Sequence, residues 1–339
     1  MSAAKQAGIR YDAERIKWAV TRGARYVPHI AAYKQGNGVF SVAGAWEILR
    51  ELDGGAPMVT ITGEAPVKHV YSHLLPNPHR GVGLYERDGW KPGDRDERTL
   101  SLTRVSGPRG AMTFDVTWEG NDHGTFSAPL TVTLPLNTPV DLPITVAPTE
   151  YGVHTAHLTL DHEAVPGYTY RTLATIVAPE ALDEGNDFTI EKEVEVPRPG
   201  IQSFFYQVPE GVSALVVDLS WTDREVSMAV VRPDTRQQRG EMITTPGGSR
   251  TTQVVHDPMP GMWEVRLSDI ADTRTFDWEQ AKKEEPVPPT PATLTLSALA
   301  AEVQLVPVGV QSGGDGFPAH EAGSSDYEVW ITNRMAEFT

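Results

Sequence analysis

The sequence contains no cysteine, so a disulfide framework, a thiolate metal site and a cysteine nucleophile are all excluded. It has no apolar run approaching the roughly 20 residues of a membrane-spanning helix, and Met1-Ser-Ala-Ala-Lys-Gln lacks the basic-then-apolar layout of a signal peptide. Positive charge is also scarce: 29 Lys and Arg face 45 Asp and Glu, for a net charge of −16. Binding to nucleic acid or to an anionic membrane needs clustered cations, so both are set aside as partners. What is abundant is punctuation. Thirty glycines and 27 prolines spread over 339 residues imply many turns and few long helices after residue 55, while 40% hydrophobic residues are enough for ordinary cores in two or three domains.

The first 52 residues read as helical. Asp12 is placed as an N-cap, Glu14 lies in the first turn where the helix dipole favours an anion, and Ala13, Ile16, Val20 and Ala24 recur on one face. Gly36-Asn37-Gly38 supplies backbone freedom for a tight approach. Ser41 then caps a second helix in which Val42, Ala45, Trp46, Leu49 and Leu52 share a face. Residues 53–98 are irregular, with short alternations interrupted by Pro66, Pro76, Pro78 and Pro92, and read as a connector with short strands.

From about residue 98 the hydrophobic period becomes two. Met112, Phe114, Val116 and Trp118 alternate, as do Leu130 to Leu134, Val140 to Val146 and Ala156 to Leu160, giving about six strands over 99–180. A second set over 186–283 includes Phe188 to Val196, Phe204 to Val208, Leu215 to Trp221 and Trp263 to Leu267. Both sets fit antiparallel sandwiches. Glu284-Glu-Pro-Val-Pro-Pro-Thr-Pro291 reads as a stiff linker opening a segment, 284–339, with additional strands, including an edge strand around Pro307. The expected class is mainly β: two consecutive antiparallel β-sandwiches preceded by a short helical region.

The run Ser2 to Gly8, the helix from Tyr11 to Val20 and the stretch Gln35-Gly-Asn-Gly-Val-Phe-Ser-Val-Ala-Gly-Ala-Trp46 together resemble the segment that follows the nucleophilic serine in subtilisin-like serine proteases. Thr131-Val-Thr-Leu-Pro-Leu-Asn-Thr-Pro-Val140 and Val146 to His154 resemble the fibronectin-type-III-like domain behind such catalytic domains. Tyr206-Gln-Val-Pro-Glu-Gly211 and Pro260-Gly-Met-Trp-Glu-Val265 resemble the jelly-roll-like domain at the C-termini of secreted peptidases.

The resemblance implies that 1–52 is the C-terminal remnant of an α/β catalytic domain, and that the parent is a secreted, bacterial endopeptidase acting on protein or peptide substrates. The partner it implies is an N-terminal catalytic domain not contained in this sequence. The family's Asp, His, Ser and oxyanion Asn match no residue here, so no catalytic, cofactor-binding or metal-binding residue is assigned and the chain is expected to be inactive alone. Bereft of that domain, the opening helices are expected to be marginal in water. Two other readings stay open: a self-standing β-sandwich adhesion or carbohydrate-binding protein, and a noncatalytic pseudoprotease scaffold.

Several constellations invite chemistry and are better read as structure. Gly124-Thr-Phe-Ser-Ala-Pro129 mimics the family's nucleophile motif, but that serine must open a helix, whereas here a strand and prolines follow. His69, His73 and His79 fall among prolines without acidic companions and read as loop histidines. Along one strand, His154 and His162 share a face opposite His157. Asp161-His162-Glu163 with Ser101 or Ser127 spells a triad that nothing in the sequence brings together. The aromatics Tyr168, Tyr170 and Phe204 to Tyr206 read as core and cross-strand pairs rather than a binding face. Calcium is admissible in the parent architecture, yet Asp218, Asp223, Asp257, Asp269 and Asp315 lack the alternating ligand loop that would make it specific; no cofactor is assigned.

Overall fold

The computed structural model describes residues 2–28, 30–197, 200–222, 226–238, 242–244, 249–269, 288–307 and 327–333. The chain divides into two units, Met1–Pro179 and Glu180–Thr339.

The first unit opens with helices α1 (Ser2–Gln6), α2 (Ala13–Arg22), α3 (Ala32–Gln35) and α4 (Val42–Asp53). The two expected caps form: the Asp12 carboxylate accepts from the Arg15 amide at 2.8 Å and the Ser41 hydroxyl from the Gly44 amide at 3.0 Å. The expected buried stripe on α2 forms only in part: Ile16 is half-buried against the core, Ala13 and Val20 are exposed, and the helix buries Trp18 and Ala19. On α4, Ala45, Ile48, Leu49 and Leu52 are buried while Val42 is 71% exposed.

Ten strands follow: β1 (Ile61–Lys68), β2 (Arg80–Gly81), β3 (Leu84–Glu86), β4 (Asp96–Arg104), β5 (Met112–Glu119), β6 (Phe126–Ser127), β7 (Thr131–Leu134), β8 (Pro139–Val146), β9 (Gly152–Asp161) and β10 (Tyr170–Ala178). They run in the order β6-β8-β4-β1-β3-β10-β9-β5-β7, with β2 on β1. β1 links two halves: Ile61 to Glu64 pair antiparallel with β4, whereas Val67 and Lys68 pair parallel with β3. The change falls at Pro66, which has no amide to donate to a continuous ladder. Residues 61–86, expected as part of a connector with short strands, supply β1, β2 and β3 of this sheet. The inward positions are those of the period-two pattern, among them Leu100, Phe114, Leu142, Leu158 and Ile176, each at most 2% exposed.

Trp18, Ala19, Ile48, Leu49 and Leu52 belong to the same core cluster as these strands. The helices are thus not isolated, as the sequence led us to expect. Within this chain the sandwich supplies the apolar surface that short helices need in order to persist.

The second unit contains β11 (Glu180–Ala181), β12 (Thr189–Val196), β13 (Ile201–Val208), β14 (Ala214–Trp221), β15 (Val226–Val231), β16 (Met242–Thr244), β17 (Arg250–His256), β18 (Gly261–Asp269), β19 (Thr290–Leu299), β20 (Ala301–Pro307) and β21 (Tyr327–Asn333). One sheet has the order β11-β13-β18-β15, another β12-β19-β14-β17-β16, and β20 pairs with β21. Tyr206, Leu215, Val217, Leu219, Trp263, Val265, Leu294 and Leu296 meet in its core. β19 lies between β12 and β14, so residues expected beyond a linker form an inner strand of this sheet. The prolines concealed this, yet the ladder starts at Thr290 and Pro291 and its inward positions Ala292, Leu294, Leu296 and Ala298 are free of proline.

Candidate functional site

Two features of the first unit stand out chemically: the attachment of the helices and a cleft beside β1.

The helices dock on the β9–β10 side of the sandwich through an alternation of cations and rings. The Arg22 guanidinium lies over the Trp18 ring at 3.3 Å from its centroid, and over Tyr168 at 5.5 Å; Arg171 covers Tyr168 at 4.2 Å. Arg171 pairs with Glu119 at 2.5 Å, and the Tyr168 hydroxyl donates to Asn37 Oδ1 at 2.8 Å. Burial lowers the Arg22 pKa to about 10 and raises that of Tyr168. Next to this stack the Tyr26 ring meets His157 edge-on at 6.0 Å. His157 is buried with its Nδ1 unbonded, and burial, with Arg171 nearby, lowers its pKa to about 4. These groups hold two layers together.

The helical region also leaves apolar side chains open. Tyr11, Val20, Ile30, Tyr33, Val39, Phe40 and Val42 are all exposed, Phe40 at 55%. Among the described residues, seven of the sixteen exposed large hydrophobic side chains thus fall within the first 42 positions, a concentration that scattered surface residues do not produce.

The cleft lies between β1 and β10, beside β3, and encloses about 610 Å³; a recess of about 340 Å³ shares Gly63, Val82, Thr172 and Leu173 with it. Its walls are mostly apolar, from Val67, Leu75, Pro76, Val82 and Leu84. Arg80 is held by Glu64 through Nε at 3.1 Å, and Asn77 also donates to Glu64, which lowers the pKa of that carboxyl.

The histidines named from the sequence go to separate places. His69 packs between the rings of Tyr71 and Tyr85, His73 meets the Val70 carbonyl, and His79 Nδ1 lies 2.7 Å from the hydroxyl of Ser72. Ser72 is only 4% exposed and, among the described residues, no carboxylate bonds His79, so this pair fixes the loop. His154 is bonded to Thr125 and to the Glu150 carbonyl, and His162 packs on Phe114. Ser101 lies on β4 and Ser127 on β6, both paired in the β8 half of the strand order, while Asp161 lies on β9 beside β5. The imagined triad is not assembled.

Phe126 of the nucleophile look-alike is buried and stacks on Trp118, in a strand rather than at a helix start. Asp218 is engaged by Arg250 and Thr252; Asp223 and Asp315 lie outside the described residues. Among the described residues, no three His, Asp or Glu side chains converge as metal ligands do. Sequence reasoning missed the cleft. Its signal was the run of 21 residues from Ala65 to Tyr85, which has no carboxylate in a chain so acidic overall.

Residues 62–178 match the family model described as an Ig-like domain in actinomycete serine proteases. That match begins within β1, and so takes in strands that lie outside the fibronectin-like boundaries expected from the sequence. The chain is 25% identical over 285 residues to pyrolysin of Pyrococcus furiosus, an alignment covering 78% of this chain and 18% of pyrolysin. The crystal structure of tripeptidyl peptidase 2 superposes with a TM-score of 0.60 at 16% identity, covering 89% of this chain and 25% of that one. Residues 62–178 are thus similar to the Ig-like domain of actinomycete serine proteases, and the chain spans about a fifth of the length of pyrolysin. No helix among the described residues is long and apolar enough to cross a membrane.

Proposed function

We propose that this chain is the non-catalytic C-terminal portion of a secreted subtilisin-like serine endopeptidase, and that its helical layer completes the catalytic domain while the sandwiches buttress it. The observation that carries the reading is that residues 11–52 are docked yet leave apolar side chains open. Trp18, Arg22 and Leu49 fix them to the sandwich, while Val20, Phe40 and Val42 are exposed to solvent. Of the stripe that the helical period marks for burial, Ala13 and Val20 are exposed while Ile16 packs on the core, as expected of wall material whose further apolar neighbour is another part of a larger domain. The parent's reaction is peptide-bond hydrolysis, its triad lying in the domain that these helices complete, and its setting is extracellular.

Complementation in trans tests the reading. A subtilisin-like catalytic segment that ends after its nucleophile helix is co-expressed with this chain. The pair is expected to hydrolyse a chromogenic peptide and to take up a fluorophosphonate label, whereas Phe40→Asp in this chain abolishes both. Equal activity of that segment with and without the chain overturns the proposal.

A further inference from the structure

We propose that the surface which covers the open apolar side chains of residues 11–42 is an acidic protein face, held by apolar contact and by carboxylates seated on Lys17 and Arg25. The inference rests on the reading of this layer as part of a larger domain, and adds to it the chemistry of the partner.

The first ground is charge. Residues 1–42 carry seven Lys and Arg against two Asp and Glu, whereas the rest of the chain carries 22 against 43. Both carboxylates, Asp12 and Glu14, stand at the start of α2, where Asp12 serves as the cap. A chain that is acidic elsewhere is thus cationic in one segment, and that segment is the one that leaves seven large apolar side chains exposed. A negatively charged partner is drawn to this segment and repelled by the remainder.

The second ground is where the cations stand and which of them are available. Lys17 and Val20, three residues apart, are neighbours on α2, and both are exposed. Arg25 and Val39 exchange backbone hydrogen bonds of 2.8 Å in each direction, which sets their two exposed side chains beside one another, with Phe40 next in the chain. Lys34 lies over the ring of Tyr33, 5.6 Å from its centroid. Other cations of the segment are engaged: Arg22 donates to the Thr169 carbonyl, Arg10 pairs with Asp53 and Arg15 with Asp12. Among the described residues, no carboxylate pairs with Lys17 or Arg25.

The third ground is the cost of covering these places. Any body that buries Val20 or Val39 also takes water from the cation beside it. A charge stripped of water without a counter-ion opposes association, so an occupant lacking carboxylates here loses at Lys17 and Arg25 what it gains at the apolar side chains. An anionic bilayer offers negative charge as well, but it is broad and also meets the acidic remainder of the chain. A protein face confined to residues 11–42 does not.

The chain is immobilised, and the subtilisin-like catalytic segment used for complementation is passed over it from about 0.05 M to about 0.5 M NaCl. Retention is expected to weaken as salt rises. Lys17→Glu combined with Arg25→Glu, both on exposed side chains, is expected to weaken retention about tenfold at low salt and to flatten its salt dependence. Lys17→Arg combined with Arg25→Lys is expected to behave as wild type. Retention that is equal in the charge-reversed chain and indifferent to salt overturns this inference and leaves the larger-domain reading standing. No retention by the wild-type chain overturns both. Sedimentation of the chain with vesicles of phosphatidylserine and phosphatidylcholine, lost on charge reversal while retention of the segment is unchanged, assigns the two cations to a membrane and also overturns the inference.

Discussion

Arg22 and Trp18 are four residues apart on α2 and in face-to-face contact, the guanidinium carbon 3.3 Å from the ring centroid. Each also reaches the turn between β9 and β10: Arg22 Nη2 donates to the Thr169 carbonyl at 3.0 Å and Trp18 Nε1 to the Pro166 carbonyl at 3.4 Å. The pair pins the helix to the sandwich. Trp18→Ala is expected to cost about 3 kcal/mol, the range of a buried aromatic truncation. Its signature is selective: hydrogen exchange over 13–22 and 42–53 rises far more than exchange in β4, β5 or β9. A uniform rise throughout the first unit contradicts this assignment.

Acid should loosen the same junction. His157 has its pKa lowered to about 4 by burial beside Arg171, with Tyr26 packed on its ring and Glu119 across on β5. Unfolded, it ionises near 6.5, so between about pH 6.5 and 4 the unfolded chain binds a proton that the folded chain does not. Stability is fully present above pH 6.5, falls as the pH drops through that window by at most about 1.4 kcal/mol per unit, and levels off below. Urea midpoints at pH 7 and pH 4.5 are expected to differ less in His157→Gln than in the wild type. An unchanged difference rules out His157 as the cause.

Arg104 is fully buried and bonds only to carbonyls: Leu134 at 3.0 Å, Pro108 at 2.7 Å, Ser106 at 3.3 Å, and Gly110. It organises the 105–110 loop, with burial lowering its pKa. Arg104→Met fills similar space but leaves those carbonyls unpaired, and is expected to destabilise the first unit by about 3 kcal/mol in equilibrium unfolding. A loss below about 1 kcal/mol indicates that water replaces the guanidinium.

Gly38 has a φ of 100°, and a Cβ there would fall 2.3 Å from the Arg25 carbonyl, within the bridge that joins Arg25 to Val39. Gly36 also has a positive φ, of 56°, but open space around it. Both alanine variants carry backbone strain of about 1 kcal/mol, and Gly38→Ala adds a backbone clash worth about as much again. Thermal melts should rank wild type above Gly36→Ala above Gly38→Ala.

Much of this architecture was legible because it follows from local rules. Asp12 and Ser41 cap their helices as their positions require, and the alternations at Met112 to Val116 and Leu215 to Leu219 place those side chains inward. The failures have physical causes. Pro66 interrupts β1 at the point where it changes partners, and the prolines before Ala292 disguise an inner strand as a linker. On α2, two apolar stripes compete, and periodicity cannot say which one the chain itself covers; Trp18 and Ala19 prevail because the β9–β10 turn supplies partners for them. The cleft depends on the partial pairing of β1 with β10's neighbours, a non-local property that no short window contains.

The account rests most heavily on the exposed apolar side chains of the helical layer. Hydrogen exchange across residues 39–42, compared between the chain alone and the chain co-expressed with a subtilisin-like catalytic segment, addresses it directly. The account predicts that the amides of Phe40 and Val42 become protected in the assembled pair while those of β14 and β19 are unchanged. Identical exchange at 39–42 in both samples, with the two proteins shown to be bound to each other, contradicts it.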